Sequence, residues 1–210
     1  GRAQHTAEYC LKVTGKNALV KDWLQEFPAT VDINDSPELQ ETYPDTKKKG
    51  GRYVLRIPWD MVPAYLSSHP EYMSRDGWRN SEVARCSDTV RVFDALAGKL
   101  DALLAEYGYV REGDHYRVEK ECRETVTFFC HFGVTCAMLA HLWNVSPFIL
   151  WHSLALLPTS FTEVVTEERQ KGIAYFRSLH VGDTSHLRMG GEEPSFACRF
   201  CEVYSDESRH

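Results

Sequence analysis

The chain has 210 residues, 43% of them apolar, which is enough to bury one substantial core and requires no second domain. With 24 Lys and Arg against 30 Asp and Glu the net charge is -6, and the cations form no basic stripe, so nucleic acid is excluded as an expected partner. No apolar run reaches the roughly 18 to 20 residues of a membrane span, and no basic stretch followed by an apolar core opens the chain. The expectation is a soluble cytoplasmic protein. Its seven cysteines are odd in number and read as reduced thiols. Cys198 and Cys201 form a lone C-x-x-C, read as incidental because no second pair matches it.

Gly1 to Val13 is rich in helix formers, with Ala3, Ala7, Cys10 and Leu11 on one face. Lys21 to Phe27 alternates Trp23, Gln25 and Phe27 against Leu24 and Glu26, which predicts a short strand. Glu26 lies between large apolar neighbours, a setting that makes it a candidate proton donor; an exposed strand-edge glutamate is the default alternative. Residues 30–79 combine five prolines, the run Lys47 to Lys49 and many aromatics, the composition of an irregular lobe. This lobe is expected to be an inserted lid that selects substrate, with a short helix near Trp59 to Ser67. A plain surface insertion is the alternative.

Ser81 to Tyr107 predicts one long helix, capped by Ser81 and stopped at Gly108. Tyr109 to Glu124 then suits a hairpin turning at Glu112-Gly113-Asp114. The β-branched and aromatic run Thr125 to Phe129 predicts a buried central strand, and Val134, Met138 and Leu142 predict the buried face of the helix after it. His131 would stand where strand meets helix, the place where open α/β sheets bind anions. The plain alternative is a histidine that only ends a core strand. Ser160 to Thr166 and Ile173 to Leu179 predict two antiparallel strands around a polar turn, and Ser205 to His210 a disordered tail.

Taken together, GRAQHTAE (Gly1 to Glu8), WLQEF (Trp23 to Phe27), CHFGV (Cys130 to Val134), PTSFTEV and GDTSHL (Gly182 to Leu187) resemble, in order, segments of the histidine phosphatase superfamily, in its phosphoglycerate-mutase-like branch. The resemblance implies a three-layer α/β/α sandwich with a mostly parallel sheet and an antiparallel edge. It also implies hydrolysis of a phosphate monoester through a phosphohistidine, on a phosphorylated small molecule and without metal or cofactor. Arg2 would clamp phosphate, His131 would be the second pocket histidine with the Phe132 N–H beside it, and Glu26 would be the general acid. His186 would lie at the pocket rim or cap a helix.

Two departures accompany the resemblance. Phe132 stands where the family has glycine, with Gly133 one place later, and the family's Arg-His-Gly strand, which carries the nucleophile, is absent. The expectation is therefore a single domain, 1–210, that is N-terminally incomplete and inactive as it stands, with exposed strand edges and poor stability. A phosphatase and a mutase remain equally compatible with these residues. A non-catalytic phospho-ligand or protein-binding member of the same fold is the competing reading.

Overall fold

The computed structural model describes residues 1–195. Helix α1 (Arg2–Thr14) is closed by Gly15, whose left-handed backbone (φ 65°) lets its N–H reach the Leu11 carbonyl at 2.9 Å. Ala7 is its one buried residue. The chain then passes exposed Leu19 and Val20 into a single 3-10 turn, Asp22–Leu24, where a strand was expected.

The 30–79 lobe is ordered. It contains α2 (Pro37–Thr42), a hairpin of β1 (Lys48–Lys49) and β2 (Arg52–Tyr53), and α3 (Pro63–Ser68), followed by two 3-10 turns. Helix α2 starts where the Ser36 hydroxyl accepts the Leu39 N–H, with Pro37 pre-set for the first turn. This lobe differs from the expected irregular insertion because its apolar residues build the main core. Val31, Ile33, Leu39, Tyr43, Tyr72 and Trp78 are all at most 1% exposed, and they share one cluster with Phe93, Val134, Phe148 and Trp151.

The single helix expected over Ser81 to Tyr107 is two, α4 (Glu82–Arg85) and α5 (Thr89–Glu106). The break is held from outside: the Asp32 N–H donates to the Cys86 carbonyl at 2.9 Å, and Val31 bridges Ser87. After α5 come β3 (Tyr109–Glu112) and β4 (His115–Val118), turning through Gly113 and Asp114 as predicted. Helices α6 (Phe132–Trp143) and α7 (Pro147–Ser153) follow, then the long hairpin β5 (Phe161–Gln170) and β6 (Ile173–Asp183), and α8 (Ser185–Met189).

The strands form two antiparallel sheets, the pair β1-β2 and a four-stranded sheet in the order β3-β4-β6-β5. Among the described residues no strands pair in parallel, so the expected three-layer sandwich around a mostly parallel sheet is not this fold. The reason lies at Thr125 to Phe129. This run has no bend or turn and, among the described residues, no ladder partner; Thr125, Val126 and Thr127 are exposed, while Phe128, Phe129 and Cys130 are part-covered. The sheet that does form is assembled from sequence-local hairpins and rests on a small cluster of Tyr109, Tyr116 and Ala174. Helix α6 packs against α5, α7 and β6 and is buried on nearly every side.

Candidate site at the start of helix α6

His131 is the N-cap of α6, with extended backbone (φ −133°, ψ 170°) and no side-chain cap bond. An uncapped helix start leaves N–H groups pointing outward. Here Glu26 takes them: its Oε1 accepts the N–H of Gly133 at 2.9 Å, that of Val134 at 3.3 Å, and that of its own neighbour Phe27 at 2.9 Å. A carboxylate is favoured there by the helix dipole, by about 1 kcal/mol. Glu26 and Gly133 are 107 residues apart in sequence, so this is a tertiary contact and not a local cap.

Aromatic packing fixes the junction. Trp59 sits edge-on to Phe132 (6.0 Å between ring centroids) and to Phe27 (6.4 Å), and 5.5 Å from Trp151. Trp151 donates its indole N–H to the Gly133 carbonyl at 3.0 Å. Gly133 is required by this crowding, since a Cβ there would lie 2.5 Å from the Trp59 ring and 2.9 Å from Glu26 Oε1. A glycine in the first turn of an otherwise apolar helix was the sequence signal for such an approach, and Trp59 carried none beyond its membership of an aromatic lobe.

Two of the expected site residues, Glu26 and His131, thus meet at one helix end. Neither the Glu26 carboxylate nor the His131 imidazole bonds any other charged side chain, and the ring nitrogens of His131 and Oε2 of Glu26 have no hydrogen-bond partner among the described residues. Arg2 is exposed in the first turn of α1 and bonds neither of them. The N–H groups that hold Glu26 are those of Gly133 and Val134, one and two places beyond the expected donor at Phe132.

His186 is in the first turn of α8, exposed, 6.2 Å from the Phe161 ring. It caps nothing with its side chain: Asp183 accepts the N–H and hydroxyl of Ser185 at 2.7 and 2.6 Å, and these bonds hold the Asp183 carboxyl below the usual range. A shallow pocket of about 280 Å³ there is lined by Gly182, Asp183, Thr184, Ser185 and Arg188 and includes neither Glu26 nor His131.

Behind the junction, burial pushes the Cys130 thiol up and that of Cys136 up to about 12, so both are neutral packing groups. No cluster among the described residues could hold a metal ion, and no helix is long and apolar enough to cross a membrane. Cys198, Cys201 and the expected tail Ser205 to His210 lie outside the described residues. Comparison with known proteins finds no matching family model, no matching curated protein and no matching solved structure.

Proposed function

We propose that the start of α6 is the leaving-group side of a phosphomonoesterase site, in which Glu26 moves the proton and His131 faces the phosphoryl group. The carrying observation is the pinned carboxylate: Oε1 is fixed by three N–H groups while Oε2 has no hydrogen-bond partner among the described residues. Pinning one oxygen fixes the place of the other, so a group bound beside Oε2 would meet it in a constant position.

In this reading a histidine supplied from outside these 210 residues attacks phosphorus. The P–N bond forms as the ester P–O bond breaks, and the leaving oxygen takes its proton from Glu26. Water then attacks the phosphohistidine, gives its proton back to Glu26, and releases inorganic phosphate as the P–N bond breaks. His131 hydrogen-bonds an equatorial oxygen in both steps, and Arg2 supplies charge from α1. The reaction class and these roles rest on the histidine-phosphatase resemblance, and the substrate is a phosphorylated small molecule.

The test is turnover of phosphate esters by the full gene product. His131→Ala is expected to reduce turnover by about 10²- to 10⁴-fold. Glu26→Gln is expected to slow alkyl phosphates far more than p-nitrophenyl phosphate, whose leaving group needs no proton. Near-normal activity of His131→Ala, or equal losses on both esters for Glu26→Gln, would overturn the assignment.

One observation favours a second reading, a binding protein for phosphorylated ligands: no other histidine ring contacts His131 or Glu26 among the described residues. Tight binding of phosphate esters by the full product with no turnover would select it.

A further inference from the structure

Residues Arg123 to His131 lie outside every strand and helix, between β4 and α6. From Glu121 to Cys130 the chain has no bend or turn, and among the described residues no backbone N–H or C=O from Thr125 to Cys130 bonds another backbone group. Yet the run Thr125-Val126-Thr127-Phe128-Phe129 has the β-branched and aromatic content of a strand. Phe128 packs 6.2 Å edge-on to Trp23, while Val126, two places earlier and on the same side of an extended chain, is 40% exposed. Unpaired edges of this kind recruit strands.

The segment fits its own copy. In antiparallel pairing about a two-fold axis through Thr127, Val126 faces Phe128 and Thr125 faces Phe129, each pair twice, with Thr127 opposite Thr127. Aromatic to β-branched and Thr to Thr are the cross-strand pairs that stabilise sheets. Glu124 meets Cys130, so no carboxylates oppose one another. The same register sets Arg123 opposite His131, with their Cβ atoms about 5 Å apart and their side chains on one face. Arg123 is exposed and among the described residues makes an exposed ion pair to Glu121 at 2.6 Å, a partner it can leave at little cost.

We propose that two copies of this chain pair antiparallel along Thr125 to Phe129, and that each supplies Arg123 as the cation beside the other's His131. The pairing stands on the segment itself, whereas the role of Arg123 rests on the phosphate reading above. That site has no cation bonded to Glu26 or His131 among the described residues, and an arginine arriving from the partner provides the bidentate donor a phosphate needs.

Sedimentation equilibrium up to about 100 μM is expected to show a dimer. Successive N–H groups of a strand point to opposite edges, so only one of Val126→Pro and Thr127→Pro removes a donor from the shared ladder. One of the two variants is expected to sediment as a monomer and the other to keep the dimer, both with wild-type circular dichroism. A monomer at every concentration, or a dimer untouched by both prolines, overturns the pairing. Arg123→Gln is expected to keep the dimer while weakening inorganic phosphate binding, followed by calorimetry, by about tenfold or more. Unchanged phosphate affinity removes Arg123 from the site. A proline-sensitive dimer that binds no phosphate in any form overturns the phosphate reading and leaves the pairing standing.

Discussion

The first half of Phe161–Gln170 and the run Thr125 to Phe129 are both rich in Phe, Thr and Val, and only the first is a strand of the sheet. The difference is distance along the chain to a partner. β5 is followed by the turn at Lys171-Gly172 and then by β6, so its first contacts close a tiny loop. Thr125 to Phe129 is preceded by the β3-β4 hairpin, which is already paired internally and to β6, and followed by a helix. Strand composition is therefore a statement about side chains, and here each strand of the four-stranded sheet first has a hairpin neighbour close in sequence, the two hairpins then joining through β4 and β6.

Proline substitution should separate the two regions most strongly. Ala174 is fully buried in β6, a central strand, in register with Tyr116 of β4. Ala174→Pro removes a donor between two strands and should cost about 3 kcal/mol or more in urea unfolding. Val126→Pro in the open segment should cost less than about 1 kcal/mol once any dimer is dissociated. Equal losses would mean that Thr125 to Phe129 is paired in solution within one chain.

What was legible beforehand follows the same division. The hairpin at Gly113-Asp114, the β5-β6 pair and α6 were readable because their periodicity and turn residues lie within a few positions of each other. That Glu26 bonds the start of the helix whose N-cap is His131 had no local signal in either stretch, since Glu26 and Gly133 lie 107 residues apart and only the family resemblance named both Glu26 and His131 for one site. Lys21 to Phe27 misled because its alternation suits a strand, yet Trp23 packs against Phe128 from a 3-10 turn and Phe27 packs against Trp59 just after it. The lobe misled more seriously. Its prolines start α2 and α3 instead of loosening them, and its aromatics fill the main core.

A smaller effect tests how the open segment is held at its far end, where it runs into α6. Gly133→Ala favours the helix by about 1 kcal/mol in propensity but drives a methyl group into Trp59 and Glu26. The expected net result is a loss of about 1 to 2 kcal/mol, read by urea unfolding. A stabilised variant would mean that Trp59 and Glu26 yield easily, and that the α6 start does not anchor the segment rigidly.

The smallest effect is a pH dependence confined to the core side of the comparison. His152 in α7 donates its Nδ1 proton to the Phe148 carbonyl at 2.9 Å and stacks on the Phe148 ring, while its buried Nε2 has no hydrogen-bond partner among the described residues. Burial lowers its pKa below the ordinary 6.5, outweighing the bond to Phe148, which acts the other way. Below about pH 6.5 the unfolded chain therefore takes a proton that the folded chain still refuses, so this residue's stabilisation is complete above that point and is lost as pH falls toward the folded value. The limiting slope for one such proton is about 1.4 kcal/mol per pH unit. His152→Asn keeps a donor near the Phe148 carbonyl and removes the titration, so its unfolding free energy should fall less steeply than wild type between pH 7 and 5. Parallel pH profiles would show that the imidazole is solvated in the native state, and that α7 packs less tightly on the core than the ring stack at Phe148 implies.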